Sequence, residues 1–553
     1  MCHKMKRIRF ILTYIIKVKF TTVFFLLTLI SLIESNSQVT FQKTFLQNSP
    51  GVQIEDGIEV LLIDSFNDLV FAGNSEDLFM QTRISSIYKS DINGTLNWLK
   101  YYFYYPTSNG IRSIVILPDG NYLAAGNLYD SSGTDGSSYL MKLDTAGIIL
   151  WSKLIPFSGR ALYLEKLYLS EENIYCAGTV NNFTLGSLTD NVMLKIDADG
   201  NVIWNRYLAD TSEQRLFDIT STYDGGCVFI GTTLVRNFPV NTDLYFGKLD
   251  SLGNKLWTRQ IALGGAEGTG SLIKETNEGG LLICSYTDSL GFGERDLLLI
   301  KTDENGNVLW SKLLGSSNWD NPTSMQINSD GDILISGTSI YSGNVASAFS
   351  IKTDSIGNIV TSTLYGMNNS TRLNCSVQKE NTNIFIGGYN YFPPNGIWEL
   401  YLVKTDSLNR SGCFEFPFTI NDSTISMSSF EIVDSLNDAG ITLIDITMNV
   451  IDQTINVIDS NHCFTNLVPE IFTSNKLIIF PSPNNGNFVL VNDVSDVGEY
   501  EIYNSNGMIV YKNDFYKNNS QFSLGFLSSG IYILRFIETV SQKSYIQKFI
   551  VQH

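Results

Sequence analysis

Histidine is the residue that this 553-residue chain most conspicuously lacks, with only three copies. Two of them, His3 and His553, lie near the ends, and the third is His462, so residues 4–461 contain none. Because a Ser-His-Asp triad or a histidine-built metal site requires an imidazole, neither can form in the body of the chain.

Charge is also scarce, and what there is has mainly one sign. Charged residues make up 17% of the chain, against a norm of about 25% in globular proteins. The 55 acidic residues outnumber the 37 basic ones, which gives a net charge of −18. A nucleic-acid partner is therefore excluded, because phosphate binding needs a basic surface. The 43% of apolar residues is enough to build cores, and the 12% of aromatics favours β-strands.

Long apolar runs are absent apart from one of 13 residues, Thr21–Ile33. It is too short to cross a hydrocarbon layer of about 30 Å as a helix. A basic stretch precedes it, and the small residues Ser35 and Ser37 follow it, which is the layout of a secretory signal peptide. The sequence predicts that residues 1–37 are this signal, cleaved between Ser37 and Gln38. The alternative is an uncleaved signal anchor. No transmembrane segment is expected in the mature chain.

Tryptophan marks an internal repeat. Five tryptophans each end a phrase of the form K-x-D-x-x-G-x-x-x-W. Two degenerate copies of the phrase have Thr361 and Cys413 at the tryptophan position. Five copies are spaced 53 residues apart and end at Trp98, Trp151, Trp204, Trp257 and Trp310.

A second phrase, PDGNYLAAG in its clearest copy, recurs in phase with the first, and each phrase has seven copies. In the second repeat, the pattern predicts strands at Ile111–Leu117, Asn121–Gly126, Tyr139–Leu143 and Ile148–Leu154. Four short strands per repeat are typical of one β-propeller blade. An all-β fold is therefore predicted, with residues 38–412 forming a propeller of about seven 53-residue repeats.

The start of the chain offers a means of closing the ring. A strand at Thr40–Phe45 is in phase with the tryptophan-bearing strands, with Phe41 at the tryptophan position. It is expected to supply the outer strand of a blade completed by the far end of the repeats. Seven blades follow from this arrangement, and eight would follow if the two terminal strands belonged to separate blades.

The tryptophan phrase resembles the docking phrase of quinoprotein-like propellers, in which the indole packs between neighbouring blades. The repeats are more similar still to the secreted propeller repeats that precede bacterial sorting domains. The resemblance implies a structural role for the five tryptophans. Here Lys stands where the quinoprotein-like family usually has a small apolar residue.

Loops that connect such blades are the natural place for function. The tight turns open on one face of the ring and the longer loops on the other, so the longer-loop face is the predicted binding surface. Aromatic residues beside amides and carboxylates there would suit a glycan or a peptide, although packing against adjacent blades would also explain them. The candidate ligand-binding residues are Tyr102, Tyr104, Trp319, Tyr391 and Trp398.

No cofactor is expected from this sequence. The segments Asp197–Gly200 and Asp303–Gly306 superficially resemble calcium-binding loops, but the acid at the twelfth position and the flanking helices of an EF-hand are missing. The competing interpretation is that the Asp of each K-x-D accepts hydrogen bonds from its own turn. Calcium therefore stays a minor alternative.

Residues 413–473 break the period and predict a β-rich connector. Cys413 and Cys463 bracket it, and in an exported chain they are predicted to form a disulfide.

Residues 474–553 contain seven short strands with alternating patterning, which predicts a small Ig-like β-sandwich. Four phrases within them resemble, in order, the type A C-terminal sorting domain of the bacterial type IX secretion system. The middle residue of Pro481-Ser482-Pro483 departs from the Pro-Asn-Pro of that family. The motif residues are Pro481, Pro483, Gly486, Gly507, Gly530, Tyr532 and Lys548.

The resemblance implies export through the periplasm of a Gram-negative bacterium, with the type IX machinery as partner and the outer surface or the medium as destination. The sequence thus predicts a secreted or surface propeller, most simply a non-enzymatic module that binds or adheres to a glycan or a protein. One alternative is a histidine-independent glycoside hydrolase or lyase that uses carboxylates on the long-loop face. A structural component of a surface layer is a third.

Overall fold

The computed structural model describes residues 40–551 apart from short gaps. The gaps are 48–51, 78–81, 130–135, 158–159, 183–187, 210–211, 236–240, 269, 341–344, 367–369, 380–382, 393–396, 407, 433, 454–456, 462–476, 481–485, 493–496, 505–508, 517–520 and 539–543.

The strands of the repeat region follow the predicted pattern of four per repeat. They are β1 (Phe41–Gln47); blade 1, β2 (Val52–Ile63), β3 (Leu69–Asp77), β4 (Thr82–Ser90) and β5 (Leu96–Phe103); blade 2, β6 (Ser108–Ile116), β7 (Tyr122–Tyr129), β8 (Gly136–Leu143) and β9 (Ile149–Ile155); blade 3, β10 (Ala161–Ser170), β11 (Asn173–Asn182), β12 (Leu188–Ile196) and β13 (Val202–Ala209); blade 4, β14 (Gln214–Ser221), β15 (Cys227–Val235), β16 (Asn241–Leu249) and β17 (Lys255–Ile261); blade 5, β18 (Leu272–Glu275), β19 (Leu281–Thr287), β20 (Asp296–Thr302) and β21 (Val308–Gly315); blade 6, β22 (Trp319–Ile327), β23 (Ile333–Ile340), β24 (Ala346–Thr353) and β25 (Ile359–Tyr365); and blade 7, β26 (Ser370–Lys379), β27 (Asn383–Phe392) and β28 (Ile397–Lys404).

The remaining strands are shorter and follow the repeats. They are β29 (Glu415–Pro417), β30 (Asn421–Ile425), β31 (Phe430–Glu431), β32 (Ser435–Asn437), β33 (Ile444–Asp445), β34 (Asn449–Gln453), β35 (Val457–Asn461), β36 (Leu477–Phe480), β37 (Asn487–Asn492), β38 (Val497–Tyr503), β39 (Ile509–Tyr516), β40 (Gln521–Ser523), β41 (Gly530–Glu538) and β42 (Ser544–Val551).

The described strands of residues 41–461 form seven five-stranded antiparallel sheets, one per blade. This confirms the seven-bladed propeller. Buried apolar residues fill the spaces between successive blades, so each core cluster combines side chains from two neighbouring sheets. The result is the architecture expected when a sheet is apolar on both faces and must be covered on both.

Strand β1 closes the ring as predicted. It pairs with β28 from the far end of the repeats, with Phe41 opposite Lys404 and Phe45 opposite Leu400. Phe41 and Phe45 are 1% and 0% exposed. The Phe41 ring lies against Gly94 of blade 1, the place that an indole takes at five other junctions. Both ends of the repeat region thus belong to blade 7.

Residues 413–461, predicted as a connector, form a belt around the propeller. Its seven strands add a fifth, outermost strand to each blade in reverse order, from β29 on blade 6 through β34 on blade 1 to β35 on blade 7. The belt also contributes Phe418, Ile441 and Met448, each about 5% exposed, to three of the interblade cores. The β-rich character was predicted, whereas membership of the blades was not.

Small polar residues directly after the tryptophan position hold the belt in place. Ser152, Ser311 and Ser362 donate hydroxyl hydrogen bonds of 2.6–2.7 Å to belt carbonyls. Thr258 donates to the carbonyl of Ile432, and Asn205 accepts from the amide of Ile441. These contacts satisfy main-chain groups of a segment that has few strand pairs of its own.

The tryptophans lie at the junctions between blades, where each indole packs against the glycine of the next K-x-D-x-x-G turn. Trp204, 6% exposed, lies against Gly253, whose backbone φ is +77°. The guanidinium of Arg206 covers the same indole at 5.7 Å and donates to the carbonyl of Gly253 at 2.8 Å. Glycine is therefore required twice in this turn, for its positive φ and for the closeness of the indole.

We expect Gly253→Ala to destabilise the propeller by about 2–4 kcal/mol, since the new methyl group combines a left-handed backbone cost with overpacking. An added Cβ would lie 2.8 Å from the indole of Trp204. Gly279→Ala is the matched control, because Gly279 also has a positive φ (+83°) but no atom within 4 Å of an added Cβ. Denaturant unfolding should show the larger loss for Gly253→Ala, and equal losses would contradict the packing role.

In five of the seven repeats, the lysine of the K-x-D phrase pairs with an acid in or beside the second repeated phrase, which links the two phrases within a blade. Lys89 contacts Asp64 at 2.7 Å, Lys248 contacts Asp224 at 2.7 Å, and Lys352 contacts Asp332 at 2.9 Å. Burial would lower the pKa of Lys89, but its hydrogen bond to Asp64 raises the pKa overall. The ion pairs join two tight turns of one blade.

The C-terminal unit, Asn466–His553, is separate from the propeller unit. Its described strands form a three-stranded sheet, β36-β37-β40, and a four-stranded sheet, β39-β38-β41-β42. Phe488, Tyr500, Leu534 and Phe549 are among the buried residues of its single core. All seven strands overlap the predicted ones, which confirms the small β-sandwich. In the part of the chain that the structure describes, no helix has the length and apolarity of a membrane span.

Candidate ligand-binding face

The two faces of the propeller are built differently. The tight-turn face is sealed by its own hydrogen bonds. Asp197, for example, accepts from the amides of Asp199 and Asn201 at 2.9 and 2.8 Å, and its second oxygen accepts from the Asn201 side chain. Burial opposes ionisation, but these hydrogen bonds lower the Asp197 pKa overall. Asp303 has the same arrangement. Both carboxylates thus accept hydrogen bonds from their own turns, as the competing interpretation of these segments predicted.

The prediction for Tyr102 is wrong. Tyr102 lies inside β5, is 0% exposed, and donates its hydroxyl to the carbonyl of Gly147 at 2.7 Å. It belongs to the core between blades 1 and 2. The run of aromatics that suggested a loop is mostly strand, so its residues alternate into the interblade cores.

Tyr104, Tyr391 and Trp398 were predicted in long loops but lie within strands or directly after one. Tyr104 follows β5 in the four-residue connection to β6, is half-buried, and packs against the same core. Tyr391 and Trp398 face each other as partners in the β27–β28 pair, at its long-loop end. The side chains of Tyr391 and Trp398 lie outside the described part of the structure, so their roles stay predictions.

Among the predicted aromatics whose side chains the structure describes, Trp319 is the one that is exposed on the long-loop face. It opens β22 and is 42% exposed. Its indole N–H donates to the carboxylate of Glu294. The guanidinium of Arg295 lies 5.0 Å from the Trp319 ring and 3.9 Å from the Tyr286 ring, and its Nη1 donates to Asn321 Oδ1 at 2.9 Å. We call Trp319, Glu294, Arg295 and Asn321 the Trp319 platform.

Two buried carboxyl groups, those of Asp296 and Asp320, hold the chain segments that carry this platform. Asp296 Oδ2 accepts from the amides of Phe292 and Gly293 at 2.7 and 3.1 Å, which shapes the loop that carries Glu294 and Arg295. Asp320 Oδ2 accepts from the amide of Ser316 at 2.7 Å. Burial, and for Asp296 also repulsion from Asp320, raises the pKa of both groups. Sequence spacing did not single them out.

Three charged residues lie at equivalent points of the innermost strands of blades 1–3. Each occupies a β-bulge: Glu59 in β2, Arg112 in β6 and Glu165 in β10. Burial raises the pKa of Glu165, with Arg112 and Arg215 only partly opposing the rise. Burial alone would lower the pKa of Arg112, but Glu165, Tyr129 and Glu59 raise it overall. Their 53-residue spacing is visible in the sequence, although the bulge is not.

Cysteine has no reactive arrangement in the described residues. Cys176, Cys227 and Cys284 are buried free thiols whose pKa values burial raises, which fits small apolar core residues. Cys413 is disulfide-bonded. Its predicted partner, Cys463, lies outside the described residues, as do Ser37 and Gln38 of the signal. Across the described ranges, no three Cys, His, Asp or Glu side chains lie together as a metal site.

The sorting-motif residues are structural where they are described. Gly486 has φ +89°, and an added Cβ would lie 2.5 Å from the carbonyl oxygen of Leu524. Tyr532 is buried and donates its hydroxyl to the carbonyl of Ser528 at 2.9 Å. Gly530 begins β41 opposite Val551, and Lys548 is exposed on β42. Pro481, Pro483 and Gly507 lie outside the described residues.

Comparison with known proteins identifies the C-terminal unit. Residues 478–552 match the family model described as the secretion system C-terminal sorting domain. This confirms the sorting-domain resemblance and shows that the type IX machinery exports the protein to the cell surface or the extracellular space. The protein is therefore a secreted β-propeller with a type IX sorting domain.

No curated protein matches the sequence. Solved structures that resemble the chain do so weakly. PorZ, a surface component of the type IX secretion system of Porphyromonas gingivalis, is 9% identical, with 90% of this chain and 86% of PorZ covered and a TM-score of 0.26. An α-L-arabinofuranosidase of Fusarium graminearum is 12% identical, with 66% and 98% covered and a TM-score of 0.33. An α-L-arabinanase of Penicillium chrysogenum is 12% identical, with 67% and 98% covered and a TM-score of 0.36.

Proposed function

We propose that this protein is a non-enzymatic surface module that binds a glycan through the long-loop face of its propeller. The observation that carries the proposal is the Trp319 platform. An exposed indole offers a flat apolar surface to a sugar ring, and the carboxylate, guanidinium and amide fixed around it offer hydrogen-bond partners for hydroxyl groups. Glu294, Arg295 and Asn321 are each held by a contact within the platform, so their positions are set before a ligand arrives.

We expect Trp319→Ala to weaken retention on a glycan array at least about tenfold, because loss of a central aromatic anchor typically costs 2 kcal/mol or more. The full exported chain is the appropriate sample. Tyr223→Ala is the matched control, since Tyr223 is 74% exposed but lies in a tight turn of blade 4 on the opposite face. Both variants should keep the unfolding temperature of the parent protein.

Equal retention by Trp319→Ala and the parent protein would refute the assignment of the platform. A protein array run in parallel separates a glycan from a protein ligand. If the parent protein bound only proteins and Trp319→Ala lost that binding, the platform would still be the binding site, but its ligand would be a protein.

A second candidate function is supported by Glu165. A carboxyl with a raised pKa is one member of the carboxyl pair that glycoside hydrolases use for acid catalysis. Glu165 and Glu59 lie on either side of Arg112 on neighbouring inner strands, and both interact with it. This candidate requires turnover of a polysaccharide that depends on Glu165, whereas the binding proposal requires none.

A further inference from the structure

Two pairs of buried acids bracket blade 5 at equivalent repeat positions. Asp243 and Asp296 lie at the long-loop ends of β16 and β20, and Glu267 and Asp320 lie where the chain enters the following blade. All four are 0–3% exposed. Among the described atoms, one oxygen of each carboxyl has no hydrogen-bond partner: Asp243 Oδ1, Glu267 Oε2, Asp296 Oδ1 and Asp320 Oδ1.

The preceding junction, between blades 3 and 4, shows how the same positions look when charge is compensated. Asp190 occupies the Asp243 position, and its carboxylate accepts from the Tyr207 hydroxyl and lies 4.0 Å from Arg160. Gln214, a neutral amide, occupies the Glu267 position. That junction has one acid, which lies near a cation, whereas each of the next two junctions has two acids.

Among the residues that the structure describes, the groups around the two pairs do not supply a compensating positive charge. Asp243 accepts from the Gln260 amide, and Glu267 Oε1 accepts weakly from the Thr287 hydroxyl at 3.5 Å. Asp288, on the neighbouring loop, adds a further negative charge near Glu267. At the other pair, Arg295 is stacked between Tyr286 and Trp319 and donates to Asn321.

We propose that each pair, Asp243 with Glu267 and Asp296 with Asp320, is held together by a single shared proton, and that the proton of the second pair makes the Trp319 platform, which blades 5 and 6 build together, pH-dependent. Parallel bridges join Thr242 to Ala266 and Arg295 to Trp319, so the next residues along each segment, the two acids of a pair, lie side by side. Two adjacent carboxylates cannot both stay ionised in a buried site without a cation. This inference rests on the proposed function of the platform.

Direct hydrogen bonds link the Asp296–Asp320 pair to the segments that carry the platform. Asp296 fixes the amides of Phe292 and Gly293, at the start of the loop that leads to Glu294 and Arg295. The Asp320 amide donates to the carbonyl of Arg295 at 2.9 Å, next to Trp319. If both carboxyls ionise, their repulsion separates the two segments on which the platform is built.

The direction of the pH effect follows from the raised pKa values. Burial, and then repulsion from Asp243, raises the pKa of Glu267 from 4.5 to about 8. A carboxyl whose pKa is raised by folding binds its proton more tightly in the folded state than in the unfolded one. Its stabilising contribution is therefore complete below about pH 4.5 and is lost as the pH rises toward about 8.

The test uses the full exported protein without any ligand. Amide hydrogen exchange of residues 262–268 and 288–295, corrected for intrinsic rates, is measured at about pH 6 and about pH 9, on either side of the transition. Thermal unfolding is measured at the same pH values. The variants are Glu267→Gln and Asp320→Asn, which imitate the protonated acids, and the control is Glu304→Gln at an exposed site.

In the parent protein and in Glu304→Gln, we expect exchange in both segments to be at least about tenfold faster at the higher pH, with a lower unfolding temperature. Glu267→Gln should remove the dependence for residues 262–268, and Asp320→Asn for residues 288–295. Dependence that persists in these variants would overturn the proposal. So would calcium at about 5 mM restoring protection in the parent at high pH, since the pairs would then hold a cation. Because no ligand is present, these outcomes are independent of whether Trp319 binds a glycan.

Discussion

A chain that lacks Thr40–Gln47 is expected to lose cooperative unfolding of the propeller altogether. Strand β1 lies between β28 and β35 in blade 7 and pairs with five residues of each. Its removal separates the last repeat from the end of the belt and exposes the core lined by Phe41 and Phe45. A ring propeller without closure leaves two blade faces open to water. Calorimetry and near-ultraviolet circular dichroism would measure the loss.

A single substitution gives the graded form of this prediction. Phe45→Ala should cost about 3–5 kcal/mol, because it leaves a cavity in a fully buried site. Phe66→Ala is the matched control, since Phe66 is 67% exposed, and it should change stability by less than about 0.5 kcal/mol. A well-folded deletion variant with an unchanged unfolding temperature would show that β1 does not close the ring.

Deleting Leu477–His553 should abolish surface appearance and trap the propeller in the periplasm. These residues contain all seven strands of the C-terminal unit, and the sorting-domain match spans 478–552. Because the propeller is a separate unit with its own cores, it should still fold. Cell fractionation with surface protease treatment would measure the outcome.

The reciprocal variant provides the control for that deletion. A reporter protein that carries Asn466–His553 behind a secretory signal should reach the surface, because the sorting unit is a separate compact body. Normal surface exposure of the truncated chain would contradict the sorting role, as would retention of the reporter in the periplasm.

The repeat made most of the fold predictable. Tryptophans at 53-residue intervals set the number and length of the blades, and Phe41 at the tryptophan position revealed ring closure. Each of these features arises from a requirement that recurs in every repeat, such as an indole packed against a glycine or a tight turn between two strands. The sorting domain was predictable for a similar reason, since its strands are short, regular and marked by turn residues.

The belt was not predictable because its strands are only two to five residues long and carry no repeat phrase. The sequence feature that reflects the belt lies in the blades. Small polar residues follow the tryptophan position there: Ser152, Asn205, Thr258, Ser311 and Ser362. A polar residue in an outer strand is equally compatible with contact to solvent. In the structure these residues bond to the belt, which comes from a distant part of the chain.

The candidate site was predictable only in part. Trp319 was recognised from its loop position, but Tyr102 was misassigned because an aromatic run can be strand or loop. The sequence could not show that the acids supporting the platform form a pair, because Asp296 and Asp320 come from different blades. Only the packing of blade 5 against blade 6 brings them together, and only burial makes their charge unusual.

The most direct test of the account is to incubate the exported protein with the polysaccharide to which it binds. New reducing or unsaturated ends of the polysaccharide are then assayed. A binding module predicts retention that depends on Trp319 and no new ends, with the parent and Glu165→Gln behaving alike. Ends that accumulate with the parent protein but not with Glu165→Gln would contradict it and establish a carboxylate-dependent enzyme.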